Sequence, residues 1–303
     1  MPETSTHDAE ADARNADLKI YLDGDLVHRD QAKVSVYDSG FLLGDGVWEG
    51  IRLHNAKWAF LEAHLDRLFE AAKAIDLDIR LDRAGVTAAL DATAAANAMT
   101  ENVHARLMVT RGVKAKPFQD PRLSRSGPTV VIIMEHSSAS EASFRRGIRL
   151  ATVPIHRGLP LTQDPKLNSH SKLNCILAGI HASKAGADEA LMLDPQGFVN
   201  TTNSCNFFIV RKGEVWTSTG DYCLPGITRA NVIRLCRDNA IPVHEKNFSL
   251  VETYGAQEAF ITGTFGAQTP VVEIDGRPIS DGPGPLTTRL RALYKALVAA
   301  DTA

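Results

Sequence analysis

The chain has 303 residues, 44% hydrophobic and 6% aromatic, enough to bury the core of one large or two smaller domains. Its net charge of −3 excludes a broad basic field for nucleic acid or an anionic membrane. The four cysteines have neither CxxC nor paired spacing, so no metal site is expected. Without a signal segment or a membrane-length apolar run, a cytoplasmic location is expected.

The first half of the chain predicts a small α+β domain. Acidic residues are frequent in residues 1–17, which predicts a disordered acidic tail or a loosely docked arm. A hairpin follows, with strands at 19–22 and 26–27 around an Asp-Gly turn. The remaining elements are strands at 34–36 and 46–53, helices at 65–75 and 86–99, and strands at 103–109 and 129–134. Residues 18–135 therefore form the predicted amino-terminal domain.

The second half predicts a larger α+β domain over residues 147–303, after a polar linker at 136–146. Its predicted strands lie at 148–155, 190–193, 206–210, 241–244, 259–261 and 270–274. Its predicted helices lie at about 171–185, 228–239 and 285–300.

Two short segments of this second half are typical of a phosphate site. Gly226-Ile227-Thr228-Arg229 stands directly before a helical run, and a helix N-terminus offers free N–H groups to an anion. The segment 262–266, Thr-Gly-Thr-Phe-Gly, is small and rich in hydroxyls. Taken singly, the first is more often an ordinary helix cap, and the second is as often a plain turn.

Arg67 is a third candidate for phosphate binding and lies between the apolar positions of its predicted helix. A guanidinium that points inward can grip a phosphate with two hydrogen bonds. The alternative is a surface salt bridge to Asp66 or Glu70.

The order of these features resembles the class IV aminotransferases, which are fold type IV pyridoxal-phosphate enzymes. This group includes branched-chain and D-amino-acid aminotransferases, R-selective amine transaminases and aminodeoxychorismate lyase. The resemblance covers residue 18 to the carboxy terminus, and its specific segments are GDGVWEGIR (44–52), HLDRL (64–68), GADEALMLD (186–194), LPGITR (224–229) and TGTFGAQTPV (262–271). It implies a two-domain α+β fold, a homodimer or larger assembly, and pyridoxal 5'-phosphate bound between a small amino-terminal and a larger carboxy-terminal domain.

The resemblance also implies roles for individual residues. The cofactor-binding residues it implies are Arg67, Ile227, Thr228, Thr264 and Phe265. Trp48 and Arg52 would face the substrate.

The catalytic lysine is the first departure from the family pattern. Counting back from Gly186 by the family's spacing reaches Asn168, which cannot form a Schiff base with the cofactor. Lys166 and Lys172 lie two residues before and four after it, distances that keep a side chain on the same face of a strand or a helix. Lys172 is favoured, because Ser169 or Ser171 can cap the helix that carries it; the alternative is that both lysines are surface charges.

Thr201 is the second departure, because it stands where the family usually carries a glutamate that holds the cofactor's ring nitrogen protonated. A hydroxyl can bind that nitrogen but cannot stabilise its positive charge as a carboxylate does. The ring would then be a weaker electron sink; the alternative is that Thr201 is a strand hydroxyl and another group holds the ring.

The substrate is less defined by the sequence. Lys116 and Phe118 lie where D-amino-acid enzymes carry an arginine and a histidine that bind the substrate carboxylate, and Lys116 is a candidate substrate residue, although an exposed loop lysine is the commoner case. Leu43 stands where branched-chain enzymes usually have a tyrosine.

We therefore expect a transaminase that uses a lysine Schiff base to move an amino group from an amino acid or amine to a 2-oxo acid. A D-amino acid or an R-amine is the favoured donor. The alternatives are a pyridoxal-phosphate lyase of the aminodeoxychorismate-lyase type and a non-catalytic binding protein.

Overall fold

The computed structural model describes residues 12–303, so most of the predicted acidic tail lies outside the described part. The described chain divides into two compact units. Among the described residues, the amino-terminal unit contains residues 12–138 together with Leu167–Lys172 and Ala299–Ala303. The carboxy-terminal unit contains Ala139–Lys166 and Leu173–Val298.

The amino-terminal unit is built on an antiparallel sheet with the strand order β2-β1-β6-β5-β3-β4. Its strands are β1 (Lys19–Leu22), β2 (Asp25–His28), β3 (Gly46–His54), β4 (Lys57–Trp58), β5 (Val103–Thr110) and β6 (Thr129–His136). The predicted hairpin is confirmed, because β1 pairs with β2 around the turn Asp23-Gly24.

One face of this sheet is covered by helices. The helices that cover it are α2 (Leu61–Ala74) and α3 (Arg83–Ala96). The unit also contains α1 (Ser39–Leu43) and 3-10 turns at Ala13–Ala16, Arg29–Gln31 and Pro121–Leu123. Alternate residues of β3 and β5 point into the core with the apolar stripe of α2 and α3, as the period-two and helical patterns predict. Asp82 starts α3 by accepting a hydrogen bond from the N–H of Gly85.

The predicted strand at 34–36 is wrong. Val34 and Val36 are 45% and 65% exposed, and the chain turns at Ser35 instead of pairing. The Ser35 hydroxyl accepts a hydrogen bond from the N–H of Tyr37, and the Ser35 carbonyl accepts one from the N–H of Asp38. A serine that supplies local partners to the backbone favours a turn over a strand.

The carboxy-terminal unit contains a second sheet, with the order β12-β11-β10-β13-β14-β7-β8-β9 and β15 beside β14. Its strands are β7 (Ile148–Thr152), β8 (Glu189–Leu193), β9 (Val199–Thr202), β10 (Asn206–Arg211), β11 (Glu214–Thr217), β12 (Val243–Glu245), β13 (Glu258–Gly263), β14 (Ala267–Ile274) and β15 (Arg277–Pro278). Because Thr201 of β9 also pairs with Asn206 of β10, this sheet closes on itself. Its inner face holds an apolar core that includes Phe207, Ile261 and Val271.

The helices of the carboxy-terminal region are α4 (Glu141–Arg146), α5 (Pro160–Gln163), α6 (Leu173–Lys184), α7 (Ile227–Asp238), α8 (Leu250–Tyr254) and α9 (Pro285–Asp301). The predicted linker at 136–146 thus contains α4, whose first N–H groups are capped by the hydroxyl of Ser140. None of the helices in residues 12–303 combines the length and the hydropathy needed to span a membrane. Together with the two sheets, these helices give the α+β class that the sequence predicts.

Candidate active site

The segment Leu167–Lys172 is held along the first residues of β3, within the amino-terminal unit. The N–H of Trp48 donates to the carbonyl of Asn168 (2.9 Å), and the N–H of His170 donates to the carbonyl of Gly46 (2.9 Å). Val47 and Ser169 form an antiparallel bridge between these bonds. The segment therefore acts as a short additional strand, and its backbone fixes the position of Lys172.

Asn168, at the position where the family spacing expects a lysine, has a structural contact. It is 2% exposed, and its Nδ2 donates to the carbonyl of Trp48 at 2.7 Å. Ser171 adds a bond from its hydroxyl to the carbonyl of Gly44 at 3.1 Å. These side chains hold the segment against β3.

The two candidate lysines lie in different surroundings. Lys166 is exposed, and its backbone N–H donates to the carboxylate of Asp164. Lys172 is half-buried, with its Nζ 5.8 Å from the centre of the Trp48 ring. Of this pair, Lys172 is the lysine placed beside an aromatic residue predicted to face the substrate.

Arg106 lies on the same side of the sheet as Trp48, with its Cζ 3.6 Å from the centre of the indole ring. It stands opposite Gly50 in the β3–β5 register, and Gly50 lies two residues after Trp48 on the same face of β3. Burial lowers the pKa of Arg106, although a guanidinium stays charged. The sequence analysis did not identify Arg106. The alternation of β5 could have identified it, because the apolar residues of that strand face the core and Arg106 therefore faces the opposite side.

The other predicted substrate residues are placed differently. Arg52 is 7% exposed and donates from NH1 to the carbonyl of Ser137 at 2.7 Å. Lys116 is exposed. In the same connection between β5 and β6, the buried lysine is Lys114 instead. It is 3% exposed and donates to the carbonyl of Asp120.

Arg67 points inward and makes an ion pair with Glu49, on the helix-covered face of the sheet. Its Nε and NH2 donate to the two carboxylate oxygens of Glu49 at 2.8 and 2.7 Å, and Nδ1 of His64 lies 2.6 Å from one of them. Burial by itself would raise the pKa of Glu49, but the hydrogen bonds from Arg67 and His64 outweigh it and lower that pKa. Glu49 was missed from sequence, although it lies within the segment GDGVWEGIR.

In the carboxy-terminal unit, α7 begins at Ile227 without a side-chain cap. Gly226 precedes it, and the first turn contains no acidic residue. The first N–H groups of a helix have no partner within the helix, so they remain available to an anion. Thr228 is 3% exposed, with its hydroxyl 3.4 Å from that of Tyr294. A Cβ at Gly226 would lie 2.1 Å from Oδ1 of Asn206, so this helix start is packed directly against β10.

A row of polar residues crosses four strands beside this helix start. Thr201 pairs with Asn206, Asn206 with Thr262, and Thr262 with Gln268. Residues directly opposite one another in paired strands point to the same face. Thr262 is 2% exposed, and its hydroxyl has no hydrogen-bond partner among the described residues. The row is a polar strip on the outer face of an otherwise apolar sheet.

The hydroxyl of Thr201 donates its proton to the carbonyl of Cys205 at 2.5 Å. A hydroxyl has one proton, so Thr201 retains only lone pairs for a ligand. Thr264 and Phe265 lie in the half-buried turn between β13 and β14.

Comparison with known proteins gives a consistent family. The sequence model described as Amino-transferase class IV matches residues 46–274. The branched-chain-amino-acid aminotransferase-like protein 1 of Arabidopsis thaliana is 42% identical, over 93% of this chain and 51% of that protein. The branched-chain-amino-acid aminotransferase of Pseudomonas aeruginosa is 33% identical, over 93% and 94% of the two chains. The D-alanine aminotransferase of Listeria innocua is 34% identical, over 91% and 95%. The chain thus spans about half the length of the Arabidopsis relative.

Solved structures show the same likeness. The branched-chain aminotransferase of Thermoproteus uzoniensis, determined with norvaline, has a TM-score of 0.84 and 33% identity, covering 94% of this chain and 96% of its own. A T.th. branched-chain amino acid aminotransferase, determined with pyridoxamine 5'-phosphate, has a TM-score of 0.87 and 30% identity, covering 94% and 95%.

Proposed function

The chain belongs to the class IV aminotransferases, and we propose that it uses pyridoxal 5'-phosphate to transfer an amino group between an amino acid and a 2-oxo acid. Its fold class is the α+β, fold type IV architecture of that family. When bound, the cofactor supplies the electron sink for this chemistry, and the protein supplies binding, orientation and proton transfer.

The observation that carries this proposal is a set of unpaired donors in the carboxy-terminal unit. The start of α7 lacks a side-chain cap, the hydroxyl of Thr262 lacks a partner among the described residues, and Asn206 lies beside both. Such donors fit the phosphate of the cofactor, because a helix N-terminus and neutral hydroxyls bind a dianion without a competing carboxylate. We assign phosphate binding to the N–H groups of Ile227 and Thr228 and to the hydroxyl of Thr264.

Arg67 is proposed as the positive charge for the same phosphate, with Glu49 fixing the orientation of its guanidinium. Phe265, next to Thr264 in the turn, is proposed to line the cofactor site. Thr201 is proposed as the partner of the ring nitrogen. Because its proton is donated to Cys205, it would act as an acceptor there and would bring no charge to the ring.

Lys172 is proposed as the reacting amine. The paired segment Leu167–Lys172 holds it in place, and its Nζ lies over Trp48. As a free amine, it would take the proton from the substrate Cα and return it to the cofactor. Trp48 and Arg106 would line the substrate side of this amine, with Arg106 offering a charge for a carboxylate. Arg52, on the same face of β3 as Trp48, would also lie on the substrate side, with its guanidinium bound to the carbonyl of Ser137.

We propose a branched-chain L-amino acid as the amino donor, because both the Arabidopsis and the Pseudomonas relatives carry that name. The sequence-based preference for a D-amino acid or an R-amine is not confirmed. It remains the second candidate, because D-alanine aminotransferases are also about as similar as the Pseudomonas enzyme. Lys116, proposed from sequence as a carboxylate partner for such donors, is exposed within its own unit, which gives this candidate less support.

A donor assay tests the proposed function directly. With 2-oxoglutarate as acceptor, we expect kcat/KM for L-leucine, L-isoleucine or L-valine to exceed that for D-alanine and for an R-amine by about 10-fold or more. The measurement is the rate of formation of the new 2-oxo acid. Turnover of D-alanine alone would reverse the donor assignment. Release of ammonia and pyruvate without an acceptor would indicate the lyase instead, and no turnover of any donor would reject the proposed activity.

We further propose a homodimer, because α6 exposes an apolar stripe. Leu173, Ile176, Leu177 and Ile180 recur at helical spacing and are 67%, 57%, 41% and 45% exposed. A contiguous exposed stripe of this kind is typical of an association surface.

We expect Ile176→Asp to shift the protein from dimer to monomer in sedimentation velocity. Val251→Asp, at a single exposed apolar residue of the same unit, is the matched control and should stay dimeric; a dimeric Ile176→Asp would contradict this interface.

A further inference from the structure

Gln268 is a completely buried polar residue that none of the roles above uses. It is 0% exposed, and neither Oε1 nor Nε2 has a hydrogen-bond partner among the described residues. Buried amides in native proteins are nearly always paired, either with protein groups or with ordered water. A buried amide at the end of the polar row, with both polar atoms unpaired among the described residues, therefore indicates a partner that is not a side chain or backbone group.

A small cavity of about 20 Å³ lies beside this amide. It is lined by Gln268, Phe265, Gly266, Ser143, Phe144 and Arg291, among others. Arg291 also has a buried Nε without a hydrogen-bond partner among the described residues. Its other two nitrogens donate to the carboxylate of Glu141 at 2.8 and 2.9 Å, and its Cζ lies 3.7 Å from the centre of the Phe144 ring. The guanidinium is thus fixed, with one unused N–H in a buried position.

The size and the polarity of this cavity fit water. A site needs about 10–15 Å³ of such volume to hold one water molecule, together with two to four polar partners. A water molecule can accept the Nε–H of Arg291 and donate to Oε1 of Gln268.

The turn above the cavity needs support from its surroundings. Gly263 pairs with Ala267 and closes the three-residue turn Thr264–Gly266. Ala267 has a φ of 55°, in the left-handed region that costs energy for a residue with a Cβ. A Cβ at Gly266 would meet Oγ1 of Thr269 at 2.9 Å, so the turn is also packed closely. Gln268 directly follows the strained residue and is the buried polar anchor nearest to it in sequence.

We propose that ordered water in this cavity joins Gln268 to Arg291, and that Gln268 is thereby a positioning residue for the turn Thr264–Gly266. This inference rests on the proposed function, in which the turn presents Thr264 and Phe265 to pyridoxal 5'-phosphate. Gln268 acts through the turn and does not itself touch the phosphate.

The test compares crystal structures and cofactor affinities of the full-length wild type, Gln268→Met and Gln268→Glu. Methionine keeps the volume of glutamine but removes its polar atoms, whereas glutamate keeps an acceptor for water and for Arg291. We expect density for water between Gln268 and Arg291 in the wild type. In Gln268→Met we expect the water to be absent, the turn to shift, and pyridoxal 5'-phosphate to bind about 10-fold more weakly in an absorbance titration, as for the loss of one buried hydrogen bond. Gln268→Glu should stay within about 3-fold of the wild type.

Gln257→Met is the control, because Gln257 is an exposed glutamine of the same unit, and it should bind the cofactor like the wild type. A dry cavity in the wild type, or a Gln268→Met variant with an unmoved turn and unchanged affinity, would overturn the inference and leave the proposed function intact. A wild type that does not bind pyridoxal 5'-phosphate would reject the proposed function, whereas the water and the position of the turn would still be judged from the crystals. If Gln268→Met does not fold, the wild-type density and the Gln268→Glu titration decide the question.

Discussion

Replacing Lys172 by alanine should lower kcat by at least about 10³-fold, because Lys172 is proposed both to bind the cofactor and to move the proton at the substrate Cα. The backbone pairing of Leu167–Lys172 with β3 leaves the fold of the variant intact, since alanine removes none of those hydrogen bonds. The measurements are kcat with the best donor of the assay above and borohydride labelling of the bound cofactor, followed by peptide mapping. We expect the label on Lys172 in the wild type and no covalent label in the variant.

The same substitution at Lys166 tests the alternative assignment. If the label maps to Lys166, and Lys166→Ala is the inactive variant, the aminotransferase proposal stands but our choice of lysine is wrong. Lys73→Ala removes an exposed lysine of α2 and serves as the control for the loss of a positive charge. A wild type that turns over no donor and carries no covalent label on either lysine would favour the non-catalytic binding protein.

The sequence best predicts the elements that are determined by residues close together along the chain. The β1–β2 hairpin, the amphipathic helix α2 and the helix α7 after LPGITR follow from turn residues, helical periodicity and a glycine at the helix start. The segment at 34–36 was misassigned because its two valines suggest a strand, whereas the hydrogen bonds of Ser35 decide for a turn.

The candidate site is harder to predict because its contacts depend on strand register. Arg106 reaches Trp48 only because Arg106 faces Gly50 across the β3–β5 pair, and sequence spacing does not encode that pairing. The polar row from Thr201 to Gln268 likewise joins residues up to 67 positions apart through three register choices. Asn168 could be identified from sequence as an anomaly, but its bond to the carbonyl of Trp48 required the structure.

Replacing Arg67 by methionine should destabilise the protein by about 3–5 kcal/mol at neutral pH, because it leaves the carboxylate of Glu49 buried without its guanidinium partner. Glu49 is 1% exposed and accepts two of its hydrogen bonds from Arg67. The variant should also bind pyridoxal 5'-phosphate more weakly, if Arg67 supplies the charge we propose. The measurement is the free energy of unfolding in urea, with and without the cofactor.

The pH dependence of this effect has a definite sign. In the wild type the pKa of Glu49 is lowered, so the ion pair stabilises the fold above the unfolded-state pKa, and this stability is lost as the pH falls through the folded-state value. In Arg67→Met, burial raises the pKa of Glu49 instead, because its strongest hydrogen-bond donor is gone. The stability gap between the wild type and the variant should therefore narrow from pH 7 to pH 5.

Arg83→Met separates this buried ion pair from an ordinary surface one. Arg83 also bonds to two carboxylates, but its side chain is 45% exposed, so its loss should change stability much less. Equal unfolding midpoints for Arg67→Met and Arg83→Met would show that the pair with Glu49 does not stabilise the unit.

Should Arg67→Met fail to fold, the double variant Glu49→Gln/Arg67→Met decides whether Arg67 serves the fold, the cofactor or both. It removes the buried charge together with its partner, so it should recover most of the lost stability while the cofactor affinity stays low. Recovery of both would assign Arg67 to the fold alone and leave the phosphate to the donors of α7 and Thr264.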